Sequence, residues 1–146
     1  MHLCDHNIWL ALVLSLHSHH RRVHAWVAES RASSLAFCRM SQQGFLRLLT
    51  TDAVLRPYGI PARTNREAWA TYRALASDER ITFLSEPPGL EEMWHRLSDR
   101  GRAEPKTWMD AYLAAFALTS GVALATTDVG FRKFEREGLE LDLLSV

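Results

Sequence analysis

The chain has 146 residues, of which 47% are hydrophobic, and its 17 basic and 17 acidic side chains give a formal net charge of zero. This length predicts a single domain, residues 1–146, with enough apolar side chains for a full core. The neutral balance argues against a protein that binds nucleic acid through a general positive excess, while leaving room for a local basic patch.

The first third of the chain predicts alternating strands and helices. A short apolar strand at Met1–Cys4 precedes a largely apolar helix at Asn7–Ser15. An amphipathic helix follows at His17–Glu29, then a strand at Ser34–Cys38 and a helix at Ser41–Thr50. Hydrophobic spacing close to the helical period supports the helices, and short apolar runs support the strands.

The middle of the chain begins with Thr51–Arg63, which contains two prolines and a glycine and therefore predicts a loop. Thr64–Ser77 predicts a helix, because Thr64 with Glu67 three residues later forms a capping box. A strand at Arg80–Leu84 and a helix at Leu90–Leu97 follow.

The last third contains the clearest helix, Lys106–Ser120, which Gly121 ends, as glycine often does just past a helix terminus. Val122–Thr126 predicts a strand, Gly130–Glu135 a short helix and Leu139–Leu144 a last strand. Strands that alternate with helices indicate an α/β fold with a central parallel sheet of four or five strands.

Three aspartates follow predicted strands or begin a predicted helix: Asp5, Asp110 and Asp128. The carboxyl ends of parallel strands line the binding crevice of an α/β sheet. Carboxylates that meet there are suited to a hard cation such as Mg²⁺ or Mn²⁺. Each aspartate also has a purely structural interpretation. Asp5 and Asp128 could cap the following helices, and Asp110 could complete a capping box with Thr107.

Several neutral side chains beside these acids could support such a site. Asn7 lies two residues after Asp5, and Thr126 and Thr127 directly precede Asp128. Their oxygens could bind the cation or position a water.

Four segments of the sequence resemble PIN-domain proteins, most closely the VapC-type toxins of bacterial toxin–antitoxin pairs. They are Asp5–Leu12 (DHNIWLAL), Phe37–Thr50 (FCRMSQQGFLRLLT), Trp108–Ala117 (WMDAYLAAFA) and Leu124–Phe131 (LATTDVGF). The resemblance implies a three-layer α/β/α sandwich and an endoribonuclease that depends on Mg²⁺ or Mn²⁺. It also implies an antitoxin partner of the VapB type and a homodimer.

The resemblance further implies an acidic quartet that binds the metal, with Asp5 as the first, Asp110 as the third and Asp128 as the fourth acid. The second position, usually Glu, is Gln42 here, and an amide brings no negative charge. A strict two-metal mechanism is therefore in doubt. The resulting hypothesis has the three aspartates holding one Mg²⁺ and a metal-bound water attacking the RNA phosphate. Asn7, Gln42 and Thr126 have supporting roles.

Other features have competing interpretations. Basic side chains flank the site segments and could contact RNA phosphates or simply be solvated. They are Arg96, Arg100, Arg102 and Lys106 before Asp110, and Arg39, Arg47, Arg132 and Lys133 beside the other segments. His20 and His24 have the spacing of a helical zinc pair, but a polar helix face explains them as well. The five tryptophans indicate core or interface packing rather than base stacking. Cys4 and Cys38 are expected to be reduced and buried.

Two further expectations concern location and function. The sequence has neither a signal-peptide pattern nor an apolar run long enough for a membrane span, which predicts a cytoplasmic protein with no membrane association. One alternative function is a degenerate PIN module that binds RNA or protein without cutting, which Gln42 supports. Another is a small phosphatase-like enzyme, which the lack of an Asp-x-Asp pair after the first strand weakens.

Overall fold

The structure, a computed structural model, describes residues 1–145. Its sheet is built from five strands: β1 (His2–Cys4), β2 (Leu35–Phe37), β3 (Ile81–Phe83), β4 (Ala123–Thr126) and β5 (Leu141–Leu143). All pairings are parallel, and the strand order is β3-β2-β1-β4-β5. The predicted parallel sheet is confirmed, with five strands.

Seven α-helices connect and cover these strands. They are α1 (His6–Val13), α2 (His20–Ala28), α3 (Arg39–Leu49), α4 (Asp52–Leu55), α5 (Asn65–Ala76), α6 (Leu90–Ser98) and α7 (Thr107–Ser120). Two 3₁₀ helices complete the fold, Arg56–Tyr58 and Val129–Glu137. Helix α5 begins with the predicted capping box, since Thr64 accepts a hydrogen bond from the Glu67 amide and Glu67 accepts one from the Thr64 amide.

The sheet separates two hydrophobic cores, because successive strand residues point to opposite faces. On β1, Leu3 belongs to the core under α6 and α7, and Cys4 to the core under α1, α2, α3 and α5. On β4, Leu124 and Ala125 divide in the same way. Helices on both faces of one parallel sheet make the predicted three-layer α/β/α sandwich.

Some predicted boundaries differ from the structure. The segment Thr51–Arg63 was predicted to be a loop, but it contains α4 and the 3₁₀ helix Arg56–Tyr58. Pro57 lies in the first turn of the 3₁₀ helix, where proline is tolerated, and Gly59 ends that helix in the left-handed conformation. The segment Gly130–Glu135 belongs to a longer 3₁₀ helix, and α2 begins three residues later than His17.

Apolar side chains of α1, α2 and α3 lie mostly in the core. Trp9, Val23 and Phe45 are buried, and Trp9 stacks on Phe37 with ring centroids 3.9 Å apart. Both cysteines are free and buried, as predicted. Within residues 1–145, no helix has the length and apolar character needed to cross a membrane.

Candidate active site

The site is built where β1 and β4 end side by side at the centre of the sheet. Asp5 directly follows β1, and its backbone N–H donates to the carbonyl of Ala125 on β4. The side chain of Asp5 is only 1% exposed, although a carboxylate is among the side chains least often buried without a partner. Asp5 occupies the N-cap position of α1 but makes no side-chain cap hydrogen bond. The interpretation of Asp5 as a simple helix cap is therefore wrong.

One oxygen of Asp5 is well satisfied. Asp5 Oδ2 accepts a hydrogen bond of 2.9 Å from Thr126 Oγ1 and one of 3.3 Å from Asn7 Nδ2. Thr126 Oγ1 in turn accepts a hydrogen bond of 3.0 Å from the backbone N–H of Asp128. Thr126 thus connects the first acid to the loop that carries the last one, and two of the three predicted supporting residues, Thr126 and Asn7, contact Asp5.

The other oxygen of Asp5 has no hydrogen-bond partner. Asp5 Oδ1 lies 2.8 Å from His6 Nδ1, but the two atoms are poorly aligned for a hydrogen bond and neither has another partner. Burial lowers the pKa of His6, but the adjacent Asp5 carboxylate outweighs it, and the pKa is raised from its ordinary value. At this short separation Coulomb attraction acts even where hydrogen-bond alignment is poor.

Asp110 lies on the first turn of α7, close enough to Asp5 and Asp128 for their charges to affect its pKa. Burial raises the pKa of its carboxyl group, and the negative charges of Asp128 and Asp5 raise it further. Lys133 acts in the opposite direction and lowers this pKa. Lys133 Nζ lies 3.2 Å from Asp110 Oδ2. A positive ammonium group therefore already balances the crowded negative charge at this position.

The capping interpretation of Asp110 is wrong, and that of Asp128 is confirmed. Thr107 is itself the first residue of α7, and its hydroxyl donates to Glu104 rather than capping the helix. Asp128 is the N-cap of the following 3₁₀ helix, and its Oδ1 accepts a hydrogen bond of 2.7 Å from the Gly130 amide.

Gln42 lies on the first turn of α3 and is 4% exposed. Its Oε1 accepts a hydrogen bond of 2.5 Å from Arg39 Nη1, and the Arg39 guanidinium lies over the ring of Phe83. The amide oxygen that could have served as a ligand is thus already bound to a cationic side chain. Sequence reasoning named Arg39 only as a possible phosphate contact and missed this pairing.

Some side chains near the site form ion pairs with each other, and others are exposed to solvent. Among the basic residues, Arg100 and Arg102 pair with Glu104, so part of this group is neutralised locally. Trp108 and Met109, beside Asp110, are exposed, as are Trp69 on α5 and Val129 beside Asp128. Trp108 and Trp69 are therefore not core residues, and interface packing stays a prediction for both.

The present side-chain conformations leave the carboxylates dispersed. Within residues 1–145, no three His, Cys, Asp or Glu side chains are already arranged to hold a metal ion. Asp110 and Asp128 are instead engaged by Lys133 and by the Gly130 amide. The donor set nevertheless fits a divalent cation, because Asp5 has a buried carboxylate oxygen without a hydrogen bond and the charges of Asp5 and Asp128 both reach Asp110.

Comparison with known proteins identifies the family. The family model described as "PIN domain" matches residues 3–137, so the chain belongs to the PIN domain family. The chain is 53% identical over 147 aligned residues to Ribonuclease VapC41 of Mycobacterium tuberculosis, and the alignment covers 99% of both chains. It is also 30% identical to Ribonuclease VapC38 of the same organism, over 89% of this chain and 86% of the relative.

Solved structures show the same fold. FitAcB from Neisseria gonorrhoeae superimposes with a TM-score of 0.67 at 16% identity, covering 99% of this chain and 98% of the other. VapC20 of Mycobacterium tuberculosis, a toxin that cleaves the sarcin–ricin loop, superimposes with a TM-score of 0.64 at 16% identity, covering 91% and 94%. The family and fold that the sequence motifs predicted are confirmed.

Proposed function

We propose that the chain is a metal-dependent endoribonuclease and the toxin of a VapBC-type toxin–antitoxin pair. The observation that carries the proposal is the buried Asp5 carboxylate, which has one oxygen held by Thr126 and Asn7 and the other without a hydrogen bond. The identity of 53% to a protein named as a ribonuclease, over 99% of both chains, supports the activity.

A divalent cation would explain why an acid is buried here. Burying a charged carboxylate without full compensation costs several kcal/mol, so such groups are usually paired or coordinate a metal. We propose that Asp5, Asp110 and Asp128 hold Mg²⁺ or Mn²⁺. When bound, the ion would polarise a phosphate oxygen and lower the pKa of a bound water.

The protein's own groups position this chemistry. The hydrogen bonds from Thr126 and Asn7 fix the orientation of Asp5, so that its free oxygen keeps one direction. Lys133 pairs with Asp110 in the absence of a cation. If a cation took its place beside Asp110, the Lys133 ammonium group could contact an RNA phosphate. Gln42, held by Arg39, contributes no charge, which favours one metal ion over two.

Cleavage of a mixed RNA pool with Mg²⁺, with Mn²⁺ or with EDTA tests the activity and its metal dependence together. We expect cutting with either ion and none in EDTA. Gln42→Glu should change the rate, because it replaces the amide with a carboxylate that pairs with Arg39. Arg39→Ala in the same assay releases the Gln42 oxygen from the guanidinium and so separates the effect of that pairing from the effect of the added charge. If the wild type binds RNA but cuts it under no condition, the degenerate module is the better description.

The same proposal includes a VapB-type antitoxin. Structures related in fold include VapBC-1 from nontypeable Haemophilus influenzae, with a TM-score of 0.66 at 15% identity, covering 98% of this chain and 97% of the other. A groove of about 290 Å³ between α3 and α5, lined by Leu46, Arg47 and Trp69 among others, could receive apolar side chains of such a partner. Growth arrest on expression, relieved by the product of a neighbouring gene, tests the pairing. Light scattering tests the homodimer that the family resemblance implies.

A further inference from the structure

We infer that His6 supplies an imidazole nitrogen to the same cation that Asp5 binds, which makes this centre a mixed nitrogen and oxygen site. The inference rests on the proposed metal site and adds a ligand to it. Carboxylates alone suit both Mg²⁺ and Mn²⁺, whereas an added imidazole shifts the preference toward transition metals such as Mn²⁺.

The distance between the two side chains is the first argument. Asp5 Oδ1 and His6 Nδ1 lie 2.8 Å apart. Two ligand atoms bound at right angles to one ion, each at about 2.1 Å, are about 3 Å apart. The two atoms therefore already have the separation that neighbouring ligands of one ion require.

The hydrogen-bonding state of the two atoms is the second argument. Asp5 Oδ1 and His6 Nδ1 are both buried, and neither has a hydrogen-bond partner. A hydrogen bond from a protonated imidazole would place the N–H along the line between the two atoms, and their alignment does not meet that geometry although their distance is that of an ion pair. A cation bound by both atoms, with the imidazole in its neutral form, would satisfy two buried polar atoms that have no hydrogen bond.

The packing around His6 is the third argument. The His6 side chain is 22% exposed, and its ring lies against Gly44 of α3. A Cβ atom at position 44 would come within 3.0 Å of both Cγ and Nδ1 of His6. The absence of a side chain at Gly44 thus makes room for the imidazole next to Asp5. A ring held in place by packing loses little conformational entropy when it binds a ligand.

Mn²⁺ binding observed by pulsed electron paramagnetic resonance tests the inference without any reference to activity. Imidazole nitrogen bound to Mn²⁺ gives a ¹⁴N coupling, which oxygen ligands do not give. The variant His6→Phe keeps a ring against Gly44 and removes the nitrogen. His24→Ala, which removes an exposed imidazole on α2, is the matched control for adventitious binding.

We expect the wild type and His24→Ala to show the ¹⁴N coupling and His6→Phe to lose it, with Mn²⁺ affinity falling by about tenfold or more. Coupling that persists in His6→Phe, or Mn²⁺ that binds the wild type with no ¹⁴N coupling, would overturn the role of His6 and leave the carboxylate site intact. Failure of the wild type to bind Mn²⁺ at all would overturn both the inference and the metal site on which it rests. Loss of Mn²⁺ in Asp5→Asn identifies the bound ion as the one in this site.

Discussion

Gly44→Ala is the substitution that tests the packing of the site most sharply. In the middle of a helix, alanine is more stable than glycine by about 0.8–1.0 kcal/mol. Here the new methyl group would lie 3.0 Å from two atoms of the His6 ring and 3.1 Å from its Cβ, so the ring must move. Overpacking of this kind costs about 1–3 kcal/mol. We therefore expect Gly44→Ala to lower the free energy of unfolding by about 0–2 kcal/mol, despite its better helix propensity.

A double-mutant cycle isolates the contact. His6→Ala removes the two closest atoms and keeps only the Cβ contact, so Gly44→Ala should cost about 1 kcal/mol less in that background, or become stabilising. Urea denaturation of the four proteins measures the four unfolding free energies. If Gly44→Ala has the same effect with and without the His6 ring, the proposed contact between His6 and Gly44 does not limit the packing, and the third argument for the position of His6 fails.

Three further predictions concern stability elsewhere in the fold. Trp9→Ala removes a fully buried ring stacked on Phe37 and should lower the unfolding free energy by about 3–5 kcal/mol in urea denaturation. Thr64→Ala removes the side-chain cap of α5 and should cost about 1 kcal/mol in the same assay, with Thr64→Ser as a control that keeps the cap. Hydrogen bonds from Arg80 lower the pKa of Asp78 to about 2, from an ordinary value of 3.8. The stabilisation, about 1 kcal/mol after solvent screening, is complete above pH 3.8 and lost as the pH falls through 2. Asp78→Asn should therefore be less stable than the wild type at pH 7 and nearly equal to it near pH 2, as measured by thermal unfolding at both pH values.

The local pattern of the sequence predicted the elements of the fold well, because hydrophobic spacing reports which faces are buried. It could not predict the strand order from spacing alone. The hydrogen bond between Thr126 and Asp5 joins residues that are 121 positions apart, and it exists only because β1 and β4 are neighbours. The short helix α4 was missed because nearby prolines and a glycine dominated the local signal, whereas the helix ends at Leu55, two residues before Pro57.

The candidate site shows a similar division. The three aspartates could be selected from sequence because they follow strands or begin a helix, and the family resemblance predicted that they bind one metal ion together. Their partners could not be selected in the same way. Lys133 reaches Asp110 from a 3₁₀ helix, and Arg39 reaches Gln42 within one helical turn. Side-chain pairings of this kind depend on rotamers and on the packing of separate segments, which periodicity does not encode.

The central claim is that the buried Asp5 carboxylate is the core of a metal-dependent nuclease site. The most direct measurement compares RNA cleavage by the wild type, Asp5→Asn and Asp99→Asn in Mg²⁺ or Mn²⁺, with circular dichroism to confirm that each protein is folded. Asp99→Asn makes the same chemical change at a side chain that is 70% exposed, outside the site. The account predicts that a folded Asp5→Asn loses cleavage by a factor of about 100 or more, as expected when a transition-state contact of several kcal/mol is removed, and that Asp99→Asn keeps it. Full cleavage by a folded Asp5→Asn would contradict the claim.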